Sequence, residues 1–193
     1  MNTQVHTEND RPAEDGGLHW YAVRAFKGRV FKIKEEVEAA GFKTYMAIRV
    51  TDSMEGGHLR YRNVQIIPQL LFVCCPLVWL KRFKNLHFGD IYVYSDKPGG
   101  SPAPIRECEM KLFMFITSTN GGRDVEYFGD TMPEFSEGER VRVVDGIYKG
   151  ATGFVKRIKK DRKLLVAVEG IAVVAISHIP MSYLQKIDCA QQA

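Results

Sequence analysis

Apolar and polar positions first fall into a regular pattern at Leu18. Residues 18–25, LHWYAVRA, are rich in aromatic and β-branched side chains and predict a first strand. The period then changes. Val30, Ile33, Val37 and Ala40 recur at helical spacing between Gly28 and Gly41, with Lys32/Glu36 and Lys34/Glu38 as exposed i,i+4 pairs and Gly41 as the stop. Residues 44–50, a tip at Gly56 and Gly57, and a returning segment 59–64 predict a long hairpin whose arms carry Arg49, Arg60 and Arg62. After Pro68 the unbroken apolar run 70–73 predicts a central strand covered on both faces, closed by Pro76. Residues 77–86, LVWLKRFKNL, predict a helix that is apolar on one side and basic on the other. A strand over 91–94 follows, and Pro104 opens a helix over 105–116 that contains Met110, Phe113 and Phe115.

The order β, α, β-hairpin, β, α, β, α predicts an α+β fold in which helices cover one antiparallel sheet. From 135 to 187 the pattern is different: short alternating segments at 140–144, 152–158, 163–168 and 171–176 are separated by glycines and charged turns, which predicts a small β-barrel. The intervening residues are polar, acidic and glycine-bearing. They predict a linker over 121–134, with Tyr127 and Phe128 free to dock locally. Residues 1–17 are acidic and poor in apolar side chains, so they cannot repay the entropy of ordering and predict a disordered tail. The expected organisation is therefore a tail at 1–17, a first domain at 18–120, the linker, a second domain at 135–187, and a short tail at 188–193.

Charge sharpens this division. The chain of 193 residues carries a net +4, and both expected domains are basic, at +6 for 18–120 and +5 for 135–187, while the tail and linker are acidic. Two basic blocks around an acidic connector suit a polyanionic partner such as nucleic acid, although an ordinary solvated surface can carry the same charge. Lys156, Arg157, Lys159, Lys160, Arg162 and Lys163 crowd one strand and turn of the expected barrel. That density fits a nucleic-acid backbone, and equally a hairpin tip kept soluble by charge. Lys81, Arg82 and Lys84 can likewise face phosphates or form the wet side of their helix.

Sites for chemistry are sparse. The cysteines Cys74, Cys75, Cys108 and Cys189 have no CxxC spacing and the histidines are scattered, so no zinc signature is present and no metal or cofactor is expected. Buried thiols in a reducing cytoplasm are the simpler reading. The longest apolar run, 70–75, is far too short to span a bilayer, so a cytoplasmic protein without membrane contact is expected. The glycines of DGIYKGATGFV, Gly146, Gly150 and Gly153, lack the lysine and hydroxyl of a phosphate loop and lie between strands, which reads them as turn formers. Glu107 and Glu109 stand two apart on a predicted helix and point to different faces, which does not suit paired acid/base work. No catalytic residue is expected, and the chain reads as a binding protein.

Several stretches resemble the NusG family of bacterial transcription elongation factors. WYAVRAFKG (20–28) resembles its opening strand, RNVQIIPQLLFV (62–73) its proline-centred segment, and KPGGSPAPI (97–105) the loop before its last helix. FSEGERVRVVDGIYKGATGFVKRI (135–158) resembles a KOW motif, including its glycine at Gly153. The resemblance implies an N-terminal domain that packs an apolar concavity onto RNA polymerase, through Tyr21, Phe26, Ile67, Pro68 and Leu70. For specialised members it implies contact with the non-template DNA strand near Arg29, Lys32, Lys81 and Arg82; nascent RNA is the other expected nucleic-acid partner, and Lys156, Arg157, Lys159 and Lys160 are candidates for it by charge density alone. A partner of the KOW domain such as Rho or a ribosomal protein is also implied, in a monomeric protein.

Where the family commonly has Pro-Gly-Tyr, this chain has Pro68, Gln69 and Leu70, and an acidic tail precedes its first strand. Those departures resemble specialised UpxY-like antiterminators of polysaccharide operons, so the expected function is processive transcription. The alternative is a ribosome-associated or RNA-binding KOW protein. If Ile67 is a surface contact, Ile67→Asp abolishes polymerase binding and spares the fold.

Overall fold

A computed structural model of the chain describes residues 16–129, 139–158, 161–168, 170–177 and 179–187. The expected tails fall outside these residues, apart from Gly16 and Gly17, and so do residues 130–134 of the expected linker. The first half of the chain forms β1 (His19–Ala25), α1 (Val30–Ala39), β2 (Lys43–Tyr45), β3 (Ile48–Glu55), β4 (His58–Gln65), β5 (Leu70–Cys75), α2 (Leu77–Leu86), β6 (Ile91–Val93) and α3 (Glu107–Ser118). The α+β order read from the periodicity is thus present, with β2 as an added short strand. Both i,i+4 pairs form on α1, Lys34–Glu38 at 2.6 Å and Lys32–Glu36 at 3.8 Å.

Strands β2, β5, β1 and β6 lie side by side in one antiparallel sheet. Register assigns its two faces. Trp20, Ala22 and Arg24 stand opposite Cys74, Phe72 and Leu70, and Tyr21 and Val23 stand opposite Val73 and Leu71. The Tyr21 face is covered by α1 and α2 through Val30, Ile33, Val37, Leu80 and Phe83. On the Trp20 face, Trp20, Ala22 and Phe72 pack with Met110, Phe113 and Ile116 of α3. Each such side chain contributes roughly 1.5–3 kcal/mol when fully buried. Burial on both faces is why β5 reads as a continuous apolar run.

The second half forms β7 (Val125–Gly129), β8 (Glu139–Val143), β9 (Thr152–Ile158), β10 (Asp161–Val168), β11 (Ala172–Ile176) and β12 (Leu184–Lys186). They make an antiparallel sheet in the order β12-β8-β9-β10-β11-β7, the small all-β unit that the alternating segments predict. Its outer strand β7 comes from the segment read as a linker: Tyr127 pairs with Val174 and Val125 with Ile176. Val125 is fully buried, so the local docking expected of Tyr127 takes the form of a strand.

The halves share an apolar interior. Val141, Val143, Leu164, Val166 and Val174 belong to the same cluster as Trp20, Phe72 and Phe113, and Leu112 and Met114 of α3 pack against it. A polar tie supports the seam. Asp124 Oδ2 accepts from Asn120 Nδ2 at 2.8 Å and from the Tyr148 hydroxyl at 3.3 Å, and its carbonyl accepts from Ser177 N at 3.1 Å. Burial first, and then the neighbouring Asp124 charge, pushes the Tyr148 phenol well above the usual tyrosine range. Gly122, at φ +69°, turns the chain out of α3 where a Cβ would meet Ile48 O at 2.8 Å.

Of the three glycines read as turn formers, Gly146 and Gly150 lie in a turn and Gly153 lies inside β9. Gly146 and Gly150 adopt φ +82° and +93° in the turn from β8 to β9, as the turn-former reading requires. Gly153 allows close strand approach: a Cβ there would lie 2.3 Å from Leu165 O and 3.1 Å from the Leu164 and Val166 side chains. Gly153→Ala is therefore expected to separate β9 from β10 and cost about 1–3 kcal/mol, read as a lower thermal midpoint. An unchanged midpoint would contradict this packing.

Candidate partner-binding surface at the end of the sheet

With both sheet faces covered, the ends of the strands remain. At one end the last residues of β1, the first of β5 and the first of β6 converge, because Ala25 N donates to Gln69 O at 2.9 Å and Phe26 N to Asp90 O at 2.8 Å. Asp90 gathers charge there, with Lys27 Nζ at 3.4 Å and Arg29 also paired to it. Lys32 pairs with Glu36, whose carboxylate lies 2.9 Å from His87 Nε2.

Apolar side chains stand exposed beside these charges. Phe88 is 91% exposed and Phe26 is 37% exposed; Phe31 and Leu86 are also open to solvent. Tyr92 and Tyr94, two apart at the outer strand, meet edge to face at 5.2 Å. Arg24 Nε donates to the Tyr94 hydroxyl at 2.9 Å, and its guanidinium carbon lies 5.8 Å from the Tyr94 ring centroid. Aromatic side chains among cations can take both an apolar partner and a polyanion.

The backbone is strained at this end. Lys27 and Gln69 adopt φ +55° and +63°, left-handed conformations that cost an L-residue roughly 1–2 kcal/mol. Gln69 stands where the resembled pattern has glycine. Its backbone N–H donates to Gln65 Oε1 at 3.2 Å, which helps hold the conformation. Strain of this kind persists where surroundings impose it, and it gathers at functional sites.

The structure separates the five apolar residues expected at a polymerase contact. Phe26 and Pro68 are on the surface, but Tyr21, Ile67 and Leu70 are each only 2% exposed. Tyr21 faces α1 and α2, and burial, followed by the nearby Cys75 and Cys74, pushes its phenol up to about 12. Ile67 and Leu70 belong to the core shared with α3. These three are withdrawn as contact residues, because side chains only 2% exposed offer a partner almost no surface. Sequence reasoning missed Phe88, Asp90, Tyr92 and Tyr94. The alternation Ile91, Tyr92, Val93, with Tyr92 alone outward, was the available signal.

Of the basic residues, Arg29 pairs with Asp90 and Lys32 with Glu36, which also lies beside His87, while Lys81 and Arg82 are exposed on α2. In the register of β9 and β10, Lys156 stands opposite Lys163 and Arg157 opposite Arg162. Like charges placed directly opposite are destabilising and need a counter-charge. Glu126 of β7 supplies one to Lys163. Lys159 and Lys160 lie outside the described residues.

Among the described residues no cluster of three or more His, Cys, Asp or Glu side chains is placed to hold a metal ion, and no helix is long and apolar enough to cross a membrane. Cys75 is buried, which pushes its thiol up to about 12, whereas Cys108 is exposed on α3.

No protein-family model matches the chain, and no curated protein matches its sequence. A solved structure described as "Domain interaction in Thermotoga maritima NusG" is similar to it with a TM-score of 0.45 at 23% identity, over 89% of this chain and 98% of that one.

Burial reverses the expectation for Ile67→Asp. A carboxylate at this core position has no partner, so the substitution should destabilise the fold by about 3–5 kcal/mol. A folded Ile67→Asp protein with an unchanged unfolding midpoint would show that Ile67 belongs to the surface after all.

Proposed function

We propose that the chain is a non-catalytic transcription elongation factor that holds RNA polymerase through its N-terminal domain, residues 18–120, and promotes processive transcription. The observation that carries this reading is the exposed aromatic and basic end of the four-stranded sheet, to which 20–28 and 62–73, whose sequences resemble the NusG pattern, contribute Phe26, Lys27 and Pro68. Phe26 and Pro68 remain as polymerase contacts from that pattern, joined by Phe88 and Tyr92. An apolar patch rimmed by charge fits a protein interface. Arg29, Lys32, Lys81 and Arg82 are assigned to the exposed DNA strand or nascent RNA, whose phosphates suit mobile surface cations.

The C-terminal domain, 135–187, is assigned a second partner, Rho or a ribosomal protein. The Pro68-Gln69-Leu70 departure favours a specialised UpxY-like paralogue acting on polysaccharide operons. The work of such a factor is binding, and the protein is assigned to the cytoplasm as a monomer.

One observation favours a second reading, an RNA-binding KOW protein. The register pairs Lys156/Lys163 and Arg157/Arg162 put four basic residues of the sequence on one hairpin of the C-terminal sheet.

Pull-down of the tagged full chain from bacterial lysate separates the two. Retention of RNA polymerase, lowered at least tenfold by Phe26→Ser with Phe88→Ser at an unchanged thermal midpoint, is the expected result; tenfold corresponds to about 1.4 kcal/mol. Recovery of RNA without polymerase, abolished by Lys156→Glu with Arg157→Glu, would replace this reading with the second.

A further inference from the structure

The hairpin of β3 and β4 belongs to neither larger sheet; the two strands pair only with each other, over the whole register from Ile48↔Gln65 to Glu55↔His58. Eight residues per strand make a ribbon on the order of 26 Å long. Every residue of β4 from His58 to Val64 is exposed, so both faces of its outer part meet solvent.

The two faces differ. Met54 stands opposite Leu59, Asp52 opposite Tyr61 and Val50 opposite Asn63, which makes one face largely apolar; its base rests on the turn after α3, where Arg123 pairs with Asp52 at 3.2 Å. The other face carries Arg49, Arg60, Arg62 and His58 with Thr51, Ser53 and Glu55. The Arg60 and Arg62 side chains are 67% and 59% exposed and share one carboxylate, that of Glu55, with Arg60 Nε at 3.7 Å. One acid against three guanidiniums leaves this face cationic. Shared pairing also holds the two outer guanidiniums on one side of the ribbon. Arg49 Nε is buried at the base and has no hydrogen-bond partner among the described residues.

We propose that this ribbon is a DNA-binding arm that lays its arginine face into the major groove of a B-form duplex. The B-form major groove admits a two-stranded β-ribbon, and arginines suit both the phosphates along its walls and the guanine edges on its floor. An RNA duplex does not fit, because the A-form major groove is too deep and narrow for side chains to read. A single strand offers no groove. The Glu55 pairs are exposed and weak, so they exchange for phosphate contacts at little cost. The inference does not rest on the assignment of the sheet-end surface to polymerase.

The test uses the purified full chain and fluorescence anisotropy with a short labelled DNA duplex, compared with an RNA duplex of the same sequence. Arg60→Ala with Arg62→Ala is expected to weaken DNA-duplex binding at least tenfold. It should also flatten the dependence of affinity on salt by about 0.9 in log–log slope for each phosphate that the two arginines neutralise. Met54→Ser with Leu59→Ser, on the opposite face of the same ribbon, is expected to leave duplex affinity unchanged, which separates removal of the arginines from disruption of the hairpin. Equal DNA affinity with and without the two arginines, or an RNA duplex bound as tightly as DNA, would overturn the proposal.

Discussion

The structure depends on burying α3 from two sides. Its Met110, Phe113 and Ile116 cover the Trp20–Phe72 face of the four-stranded sheet, and Leu112 and Met114 lie against the cluster that continues into β8, β10 and β11. A sheet face of that composition has to be covered, and α3 covers it with Met110, Phe113 and Ile116 while its Glu107, Lys111, Phe115 and Ser118 side stays exposed. Other features follow from this. The turn at Gly122 is tight because the helix must end against Ile48, and Thr117 returns its buried hydroxyl to Phe113 O at 2.7 Å while lying 2.6 Å from the Tyr45 hydroxyl. Asp124 then bonds both to Asn120 just after the helix and to Tyr148 and Ser177 of the second half.

Covering both sheet faces determines where partners can bind. Among the described residues, strand ends, helix backs and the hairpin that joins neither sheet stay accessible. At one strand end Lys27 and Gln69 hold left-handed conformations, Asp90 collects two cations, and exposed aromatic rings stand beside them. The hairpin carries arginines on a face that no other element covers at its outer part. A single packing decision in the core therefore leaves two separate surfaces, one aromatic and basic, the other a cationic ribbon.

Much of this was legible in the chain. The helical period of Val30, Ile33 and Val37, the apolar run at Leu70 and the glycine tip at Gly56–Gly57 each located an element, because each signal is local. The three-residue strands β2 and β12 were not legible, because neither shows the apolar alternation that marks the equally short β6. Strand β7 was hidden in a polar, glycine-bearing stretch, since its place at the edge of the sheet is set by β11 rather than by its own composition. The site was less legible than the fold. Alternation tells which residues share a face, but it does not tell which faces are covered when both are apolar. Tyr21, Ile67 and Leu70 looked available for that reason and are buried. Phe88 and Asp90 acquire meaning only when β6 meets the end of β1.

The claim that the two halves share one apolar interior is tested most directly by urea unfolding of the full chain. Trp20 and Trp79 fluorescence would follow the first half, and hydrogen exchange of the β9, β10 and β11 amides the second. The account predicts coincident transitions with a single midpoint, because exposing α3 removes the cover from both sheets at once. Loss of protection in β9–β11 at a urea concentration that leaves the tryptophan signal native would contradict it.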